Sequence, residues 1–151
     1  MELLKLVALD RDDLEVVSTH LQDATLSVSD VHWRPAEKRL VMSLARFDWA
    51  GSLCEYGQFQ RRRTALRFDR VNSIKCRNVN CKDRQTMLNL LAVEFDESDS
   101  PGGVVTLMFS GGAALRLEVE CLECELVDLG PVWAETCRPT HAEDVDDVRT
   151  A

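Results

Sequence analysis

Residues 115–133, LRLEVECLECELVDLGPVW, decide what kind of fold this chain takes. Leu115, Leu117 and Val119 alternate with Arg116 and Glu118, the period-two signature of a half-buried strand. Beyond Glu120 two readings compete. Leu122, Leu126 and Leu129 recur at helical spacing, and Gly130-Pro131 is a helix stop. The spacing predicts a short C-terminal helix; a further strand is the alternative over residues 120–129.

Working back from that stretch, Val104–Phe109 and Leu115–Val119 read as a hairpin around SGGA. The turn SDSPGG separates them from Met87–Glu97, which is apolar enough for a central strand. Arg62–Ile74 reads as one long strand with Leu66 and Phe68 on one face. It lies between the loops DWAGSLCEYGQFQ (48–60) and KCRNVNCKDR (75–84). Thr25–Trp33 also has period two, but Val31 and Trp33 fall one residue out of step with Leu26 and Val28, as a bulge would produce. RPAEKR (34–39) is a turn, and Leu40–Phe47 is the return strand of a hairpin. Glu2–Leu9 reads as a strand. Asp10 is a helix N-cap, and Leu14, Val17 and Leu21 mark one face of a helix over Arg11–Gln22.

About seven strands in hairpins, a helix near each end and no βαβ alternation define an α+β fold with a mainly antiparallel sheet. Seven antiparallel strands followed by a helix also suit a pleckstrin-homology-like partial barrel with the first helix as an insertion. At 151 residues the chain is read as one domain, 1–133, followed by an acidic tail, 134–151, that lacks periodicity. Such a length buries a core without needing a disulfide or a metal. No run approaches the roughly 18 apolar residues of a membrane span. MELLKLVALDRDD carries an acid at position two and a lysine inside its apolar run, which is not a secretory signal. Six cysteines without an export signal point to reduced thiols in a cytoplasm.

Charge is segregated. The net value is -8 and the pI about 4.9. Yet residues 61–84 hold nine Lys and Arg against two acids, while residues 94–151 hold fourteen acids and three bases. The basic segment supplies the candidate anion-binding surface: Arg61, Arg62, Arg63, Arg67, Arg70, Lys75, Arg77, Lys82 and Arg84. A contiguous basic surface releases counterions on binding phosphate, and Tyr56 and Phe59 could stack bases. Strand geometry works against one patch, because successive side chains point to opposite faces. Arg67, between Leu66 and Phe68, faces away from the core, and Asp69 shares its side and can pair with it. The competing readings are a charged strand that discourages edge pairing and a surface for an acidic protein, the chain's own tail included. The overall acidity gives no long-range help with polyanions, since screening acts over about 8–10 Å.

Other chemistry is weaker. Cys121-x2-Cys124 with Cys76-x4-Cys81 has the ligand types of a zinc site. Glu123 and Glu125 beside the pair disfavour thiolates, so these read as inert core cysteines; Cys54 and Cys137 are isolated. His20, His32 and His141 accompany no nucleophile motif. The acidic clusters DRDD, FDESD and EDVDD lack the pattern of a calcium loop. No glycine-rich phosphate loop opens a helix. Trp33, Trp49 and Trp133 read as core plugs rather than a ligand pocket. No catalytic, cofactor-binding or metal residue is assigned, and no cofactor is expected.

Four blocks, LKLVALDRDDLEVVSTHLQDA, RFDW, RRRTALRFDRV and LRLEVECLECELVDLGPVW, together resemble the DUF2948 family, small bacterial proteins known mostly from alphaproteobacteria. The resemblance runs from Leu4 to about Trp133. It implies a bacterial cytoplasmic protein and carries over no activity and no site residues. The cysteines are not part of the family pattern, which counts against a shared metal site. The sequence therefore points to a non-enzymatic cytoplasmic protein-interaction or regulatory module, with a protein partner or self-association and no membrane. A nucleic-acid binder using residues 61–84 and an enzyme of unrecognised type are the alternatives.

Overall fold

The computed structural model describes residues 3–47, 58–80 and 82–136, with 47, 58–60 and 130–136 by backbone alone. β1 (Lys5–Ala8) leads into α1 (Arg11–Leu21). The Asp10 carboxylate accepts the Asp13 N–H at 2.8 Å, the expected N-cap, and Leu14, Val17 and Leu21 are the buried stripe. β2 (Ala24–Ser27) and β3 (Val31–Arg34) replace the single strand expected over 25–33. The phase change comes from a 3-10 turn at Val28–Asp30, not a bulge, and Asp30 secures it by accepting the Ser27 N–H at 3.1 Å. β3 then forms the expected hairpin with β4 (Arg39–Phe47).

The strand expected over 62–74 is likewise two. β5 (Gln58–Phe68) and β6 (Val71–Arg77) meet at Asp69–Arg70, where Arg70 takes a left-handed φ of 62°. β7 (Met87–Asp99), β8 (Gly102–Phe109) and β9 (Ala114–Val119) form a meander. Gly103 is required where β8 leaves the turn, since a Cβ there would meet the Asp96 carbonyl at 2.4 Å.

The C-terminal helix is overturned. The chain ends its described part in β10 (Cys124–Thr136), which pairs β1 on one side and β5 on the other. Leu122, Cys124, Leu126 and Asp128 are all buried, a period of two, whereas Leu129 is 54% exposed. Leu122 and Leu126 lie four apart, a spacing that satisfies both periods, so the apparent helix rested on Leu129 alone. Gly130-Pro131 marks a register shift in the β10–β5 ladder between Asp128 and Val132 rather than a stop. Among the described residues there are thus ten strands and one α-helix, near the N-terminus. The fold is α+β with a mainly antiparallel sheet, and the helix that would end a pleckstrin-homology-like barrel is replaced by strand.

The sheet runs β1-β10-β5-β4-β2-β7-β8-β9-β6, with β3 beside β4. β5 passes into β6 at one turn of the chain, and β9 passes into β10 at another directly opposite. Ladder bonds carry the pairing across this corner, from Asp69 N–H to the Glu123 carbonyl and from Glu120 N–H to the Arg70 carbonyl. The corner lets both arms contribute to one core, with Leu44, Leu66 and Leu126 from one arm and Leu107 and Leu117 from the other. α1 covers β7 where β2 runs out: Asp23 N–H donates to the Leu90 carbonyl and Val93 N–H to Ser18 Oγ. The described residues contain no helix long and apolar enough to cross a membrane.

The strand reading of β10 has a direct consequence. Leu126→Ala removes a fully buried side chain and is expected to cost about 2–5 kcal/mol. Leu129→Ala is expected to change stability by no more than about 0.5 kcal/mol. Urea unfolding of both variants checks this; a helix with both leucines on one face would make the two losses comparable.

Candidate functional site

The nine cations of residues 61–84 divide by environment. In β5 the core face carries Arg62, Thr64, Leu66 and Phe68, all buried, and the other face carries Arg61, Arg63 and Arg67. Arg62 therefore points inward, 5% exposed. It joins a buried cluster built on Asp128. Arg46 Nε donates to Asp128 Oδ1 at 2.9 Å and Arg46 Nη2 to Oδ2 at 2.7 Å, a bidentate pair. Thr64 Oγ1 donates to Oδ1 at 2.9 Å, the Leu4 N–H donates to Oδ2 at 2.8 Å, and Arg62 Nε lies 3.9 Å from Oδ2. Desolvation pushes the Asp128 carboxyl up, but the Arg46 hydrogen bonds, the Leu4 N–H, Thr64 and the Arg46 charge outweigh it and hold it below the ordinary range.

Arg67 stays on the solvent side and pairs with Asp69 at 3.0 Å, as its place between Leu66 and Phe68 predicts, and with Glu125 at 3.3 Å. Asp69 also takes Arg39 at 2.7 Å, and Lys38 pairs with Glu120. These bridges ring the corner. Arg61 and Arg63 reach across to β4, donating to the Ala45 carbonyl at 3.3 Å and to Ser43 Oγ at 3.4 Å. Arg70 occupies the corner itself.

Lys75 and Arg77 lie beyond the corner on β6, which pairs β9. They do not share a ladder with Arg61–Arg63, which pair β4 and β10. Lys75 stands directly opposite Arg116, whose next neighbour is Thr106; Arg77 stands opposite Ala114, followed by Met108. The two rows share the outer face of the sheet. They line an open groove of about 790 Å³ that also includes Leu91 and the Gly111-Gly112 turn, and no described carboxylate lines it. No described salt bridge involves Lys75, Arg77 or Arg116. Lys82 and Arg84 are exposed on the turn between β6 and β7 and are outside the groove lining.

Arg46, Asp128 and Arg116 escaped the sequence reading. A signal existed for the first two: Leu40, Met42, Leu44 and Leu122, Cys124, Leu126 are even-numbered core series, and Arg46 and Asp128 are their next terms. Arg116 meets Lys75 only through the β6–β9 register, which nothing local encodes.

The remaining candidates are dispersed. His20 sits on α1 and His32 is exposed on β3. A cleft of about 560 Å³ between α1 and β7 includes Glu15, Glu94 and Asp96 but neither histidine. Cys76 is exposed on β6, while Cys121 and Cys124 lie at the entry to β10, and the described residues hold no cluster of three metal-ligating side chains. Burial pushes the Cys124 thiol up to about 12. Trp33 packs against the core. Trp49, Tyr56, Cys54, Cys81, Cys137, His141 and the acidic segment from 137 onward lie outside the described residues, and Phe59 and Trp133 enter by backbone alone.

A family model described as a protein of unknown function, DUF2948, matches residues 4–141, most of the chain. The chain belongs to the DUF2948 family. No curated protein and no solved structure matches it. Three of the four blocks of this DUF2948 chain that carry the likeness map onto the structural elements just described. LKLVALDRDDLEVVSTHLQDA is β1 and α1, RRRTALRFDRV is β5 with its corner, and LRLEVECLECELVDLGPVW is β9, the opposite corner and β10.

Two measurements test these environments. Asp128→Asn keeps the shape and removes the charge that Arg46 and Arg62 face; it is expected to cost about 3–5 kcal/mol at neutral pH. Because the folded carboxyl is depressed, its contribution is present above the unfolded value of about 3.9 and fades as pH falls through the folded one. Wild type is therefore expected to lose more stability than Asp128→Asn between about pH 4 and pH 2, read from thermal midpoints. Separately, peptide mapping after iodoacetamide treatment is expected to find Cys76 alkylated and Cys124 protected in the native protein, and both alkylated in denaturant.

Proposed function

We propose that this protein is a non-enzymatic cytoplasmic interaction module whose contact surface is the β6–β9 groove, and that its partner is an acidic protein segment. The observation that carries this reading is the placement of Lys75 directly opposite Arg116, beside Arg77, in a groove that no described carboxylate lines. Like charges directly across a ladder destabilise it by roughly 0.2–1 kcal/mol. Elsewhere the fold sets Lys38, Arg39, Arg46 and Arg67 against acids. A carboxylate from a partner relieves the repulsion that the groove retains. Leu91 and Met108 add apolar surface beside the cations, which suits a polypeptide more than a bare polyanion.

Nucleic acid is the weaker reading of the same residues. Arg62 is buried against Asp128 and Arg67 answers Asp69 and Glu125, so the run that suggested phosphate contacts is largely committed inside the protein. The chain's net charge of -8 adds no steering for a polyanion.

Calorimetric titration with short polyglutamate tests the proposal. Binding is expected at low salt, weakening as salt rises, and falling by roughly tenfold or more in Lys75→Glu/Arg77→Glu. Arg61→Glu/Arg63→Glu is expected to bind as wild type. If the second variant loses binding and the first does not, the contact surface is on the β5 ladder. If a single-stranded oligonucleotide of equal charge binds more tightly in the same groove, the partner class is wrong.

A further inference from the structure

We infer that two copies of this protein associate through β1, edge to edge and antiparallel about a two-fold axis, with Lys5 of each copy opposite Val7 of the other. This surface lies at the other end of the strand order from the β6–β9 groove and is independent of the acidic partner proposed there.

Among the described residues β1 pairs β10 alone. Leu4 fixes the phase of the backbone hydrogen bonds. Its C=O accepts from the Asp128 N–H at 2.9 Å and its N–H donates to Asp128 Oδ2 at 2.8 Å, both on the β10 side. Backbone groups alternate sides along a strand. Leu6 and Ala8 therefore also serve β10, and the N–H and C=O of Lys5 and Val7 point out from the edge. No other described backbone hydrogen bond takes these groups. Just beyond, the Leu9 N–H donates to Asp13 Oδ2 at 3.2 Å, so the open edge is Lys5–Val7.

Apolar side chains gather at the same edge. Of seven exposed large hydrophobics among the described residues, four are Leu3, Val7, Leu9 and Leu129. Leu3 and Val7 are on the outer face, where continuing the β1–β10 register sets Leu129 beside Leu3. On the inner face Leu4 and Leu6 pack against the core and remain partly open. A strand that covers this edge must be apolar on both faces, and β1 itself meets that condition.

Backbone phase and charge then select the register. An antiparallel pair that joins the outward groups must match odd-numbered residues with odd. Lys5 opposite Lys5 sets like charges face to face. Val7 opposite Val7 needs the Leu9 N–H that Asp13 already holds. Lys5 opposite Val7 satisfies every outward N–H and C=O of both residues in both copies. It also brings Leu6 against Leu6 on the two-fold axis, at a position where facing side chains stand closest. Leu4 then meets Ala8, and Leu3 meets Leu9. Each Lys5 keeps Glu125 of its own chain, 3.9 Å away, so the two lysines that come diagonal to each other arrive with their charge answered. One patch meeting itself is the contact of a closed two-fold dimer.

Sedimentation equilibrium on the full chain tests this. Wild type is expected to form dimers that dissociate on dilution. Val7→Lys sets a cation against the second copy's Lys5, while within its own chain it faces Glu125 and leaves the β1–β10 ladder intact, as circular dichroism checks. The dimer dissociation constant is expected to rise roughly tenfold or more. Lys5→Glu/Val7→Lys turns the same cross-copy pair attractive and is expected to restore the dimer. Lys75→Glu/Arg77→Glu is expected to dimerise as wild type, which separates this contact from the groove. Amide exchange read by NMR is expected to show Lys5 and Val7 protected at high protein concentration and open on dilution, with Leu6 protected in both. A monomer at every concentration up to about 100 μM overturns the inference. So do dimers that tolerate Val7→Lys, a double variant that stays monomeric, dimers lost in Lys75→Glu/Arg77→Glu, and dimers in which the Lys5 and Val7 amides stay open.

Discussion

The Asp128 carboxylate is the constraint on which the first arm of the sheet depends. It accepts from Arg46 on β4, from Thr64 on β5 and from the backbone N–H of Leu4 just before β1, while belonging to β10 itself. Its own N–H donates back to the Leu4 carbonyl at 2.9 Å. Four consecutive strands are thereby held in one register by a single buried side chain. Burying charge is costly unless it is paired and hydrogen-bonded. Any one-residue slip of β10 would swing Asp128 to solvent and leave Arg46 and Arg62 facing each other across the β4–β5 ladder, where they are direct partners. The cluster therefore acts chiefly against wrong registers, since replacing such clusters with apolar residues often costs little net stability.

The second constraint is the corner. A strand of thirteen residues or more would carry the basic segment straight past the core. Arg70, in the left-handed region, turns it instead, and Lys38, Arg39, Arg67, Asp69, Glu120 and Glu125 close an ion-pair ring around the bend. These pairs are partly exposed and individually weak. Their effect is to set Lys38, Arg39 and Arg67 against Asp69, Glu120 and Glu125, which come from the two corners and β10. Of the basic middle segment, Arg67 at the corner and the buried Arg62 are the ones set against acids of the later chain, Glu125 and Asp128.

How legible all this was in the sequence follows from the range of each interaction. α1 and its cap, the β3–β4 hairpin and the β7–β8–β9 meander are set by neighbours within a dozen residues, and their patterns were readable. Two expected strands were each cut by a local feature with no hydrophobic signature, a 3-10 turn at Val28–Asp30 and a left-handed Arg70. The error at β10 has a different cause. Asp128 occupies a core position in an alternating series, but a carboxylate hides the alternation, because its place in the core depends on Arg46 eighty-two residues away. Reading charged residues as possible members of a period-two series would have exposed the strand and both ends of the buried pair together. The split of the arginines between two faces was readable from strand geometry; the pairing of Lys75 with Arg116 was not, because it needs the order of the sheet.

The same reasoning separates structural from available charge. A cation that lies beside the core or at a bend must find a local anion or leave the protein unstable, so its pairing tells nothing about partners. Arg46, Arg62 and Arg67 belong to that class. Lys75, Arg77 and Arg116 do not: they sit on the outer face of β6 and β9, away from the buried cluster and the corner ring, and no described salt bridge involves them. Edge protection accounts for one lysine on such a strand. It does not account for Arg116, which is on β9, an interior strand with both edges already paired. An arginine placed opposite a lysine in that position adds repulsion without shielding any edge. That makes Arg116, the residue least visible in the sequence, the strongest support for the acidic partner proposed for the groove.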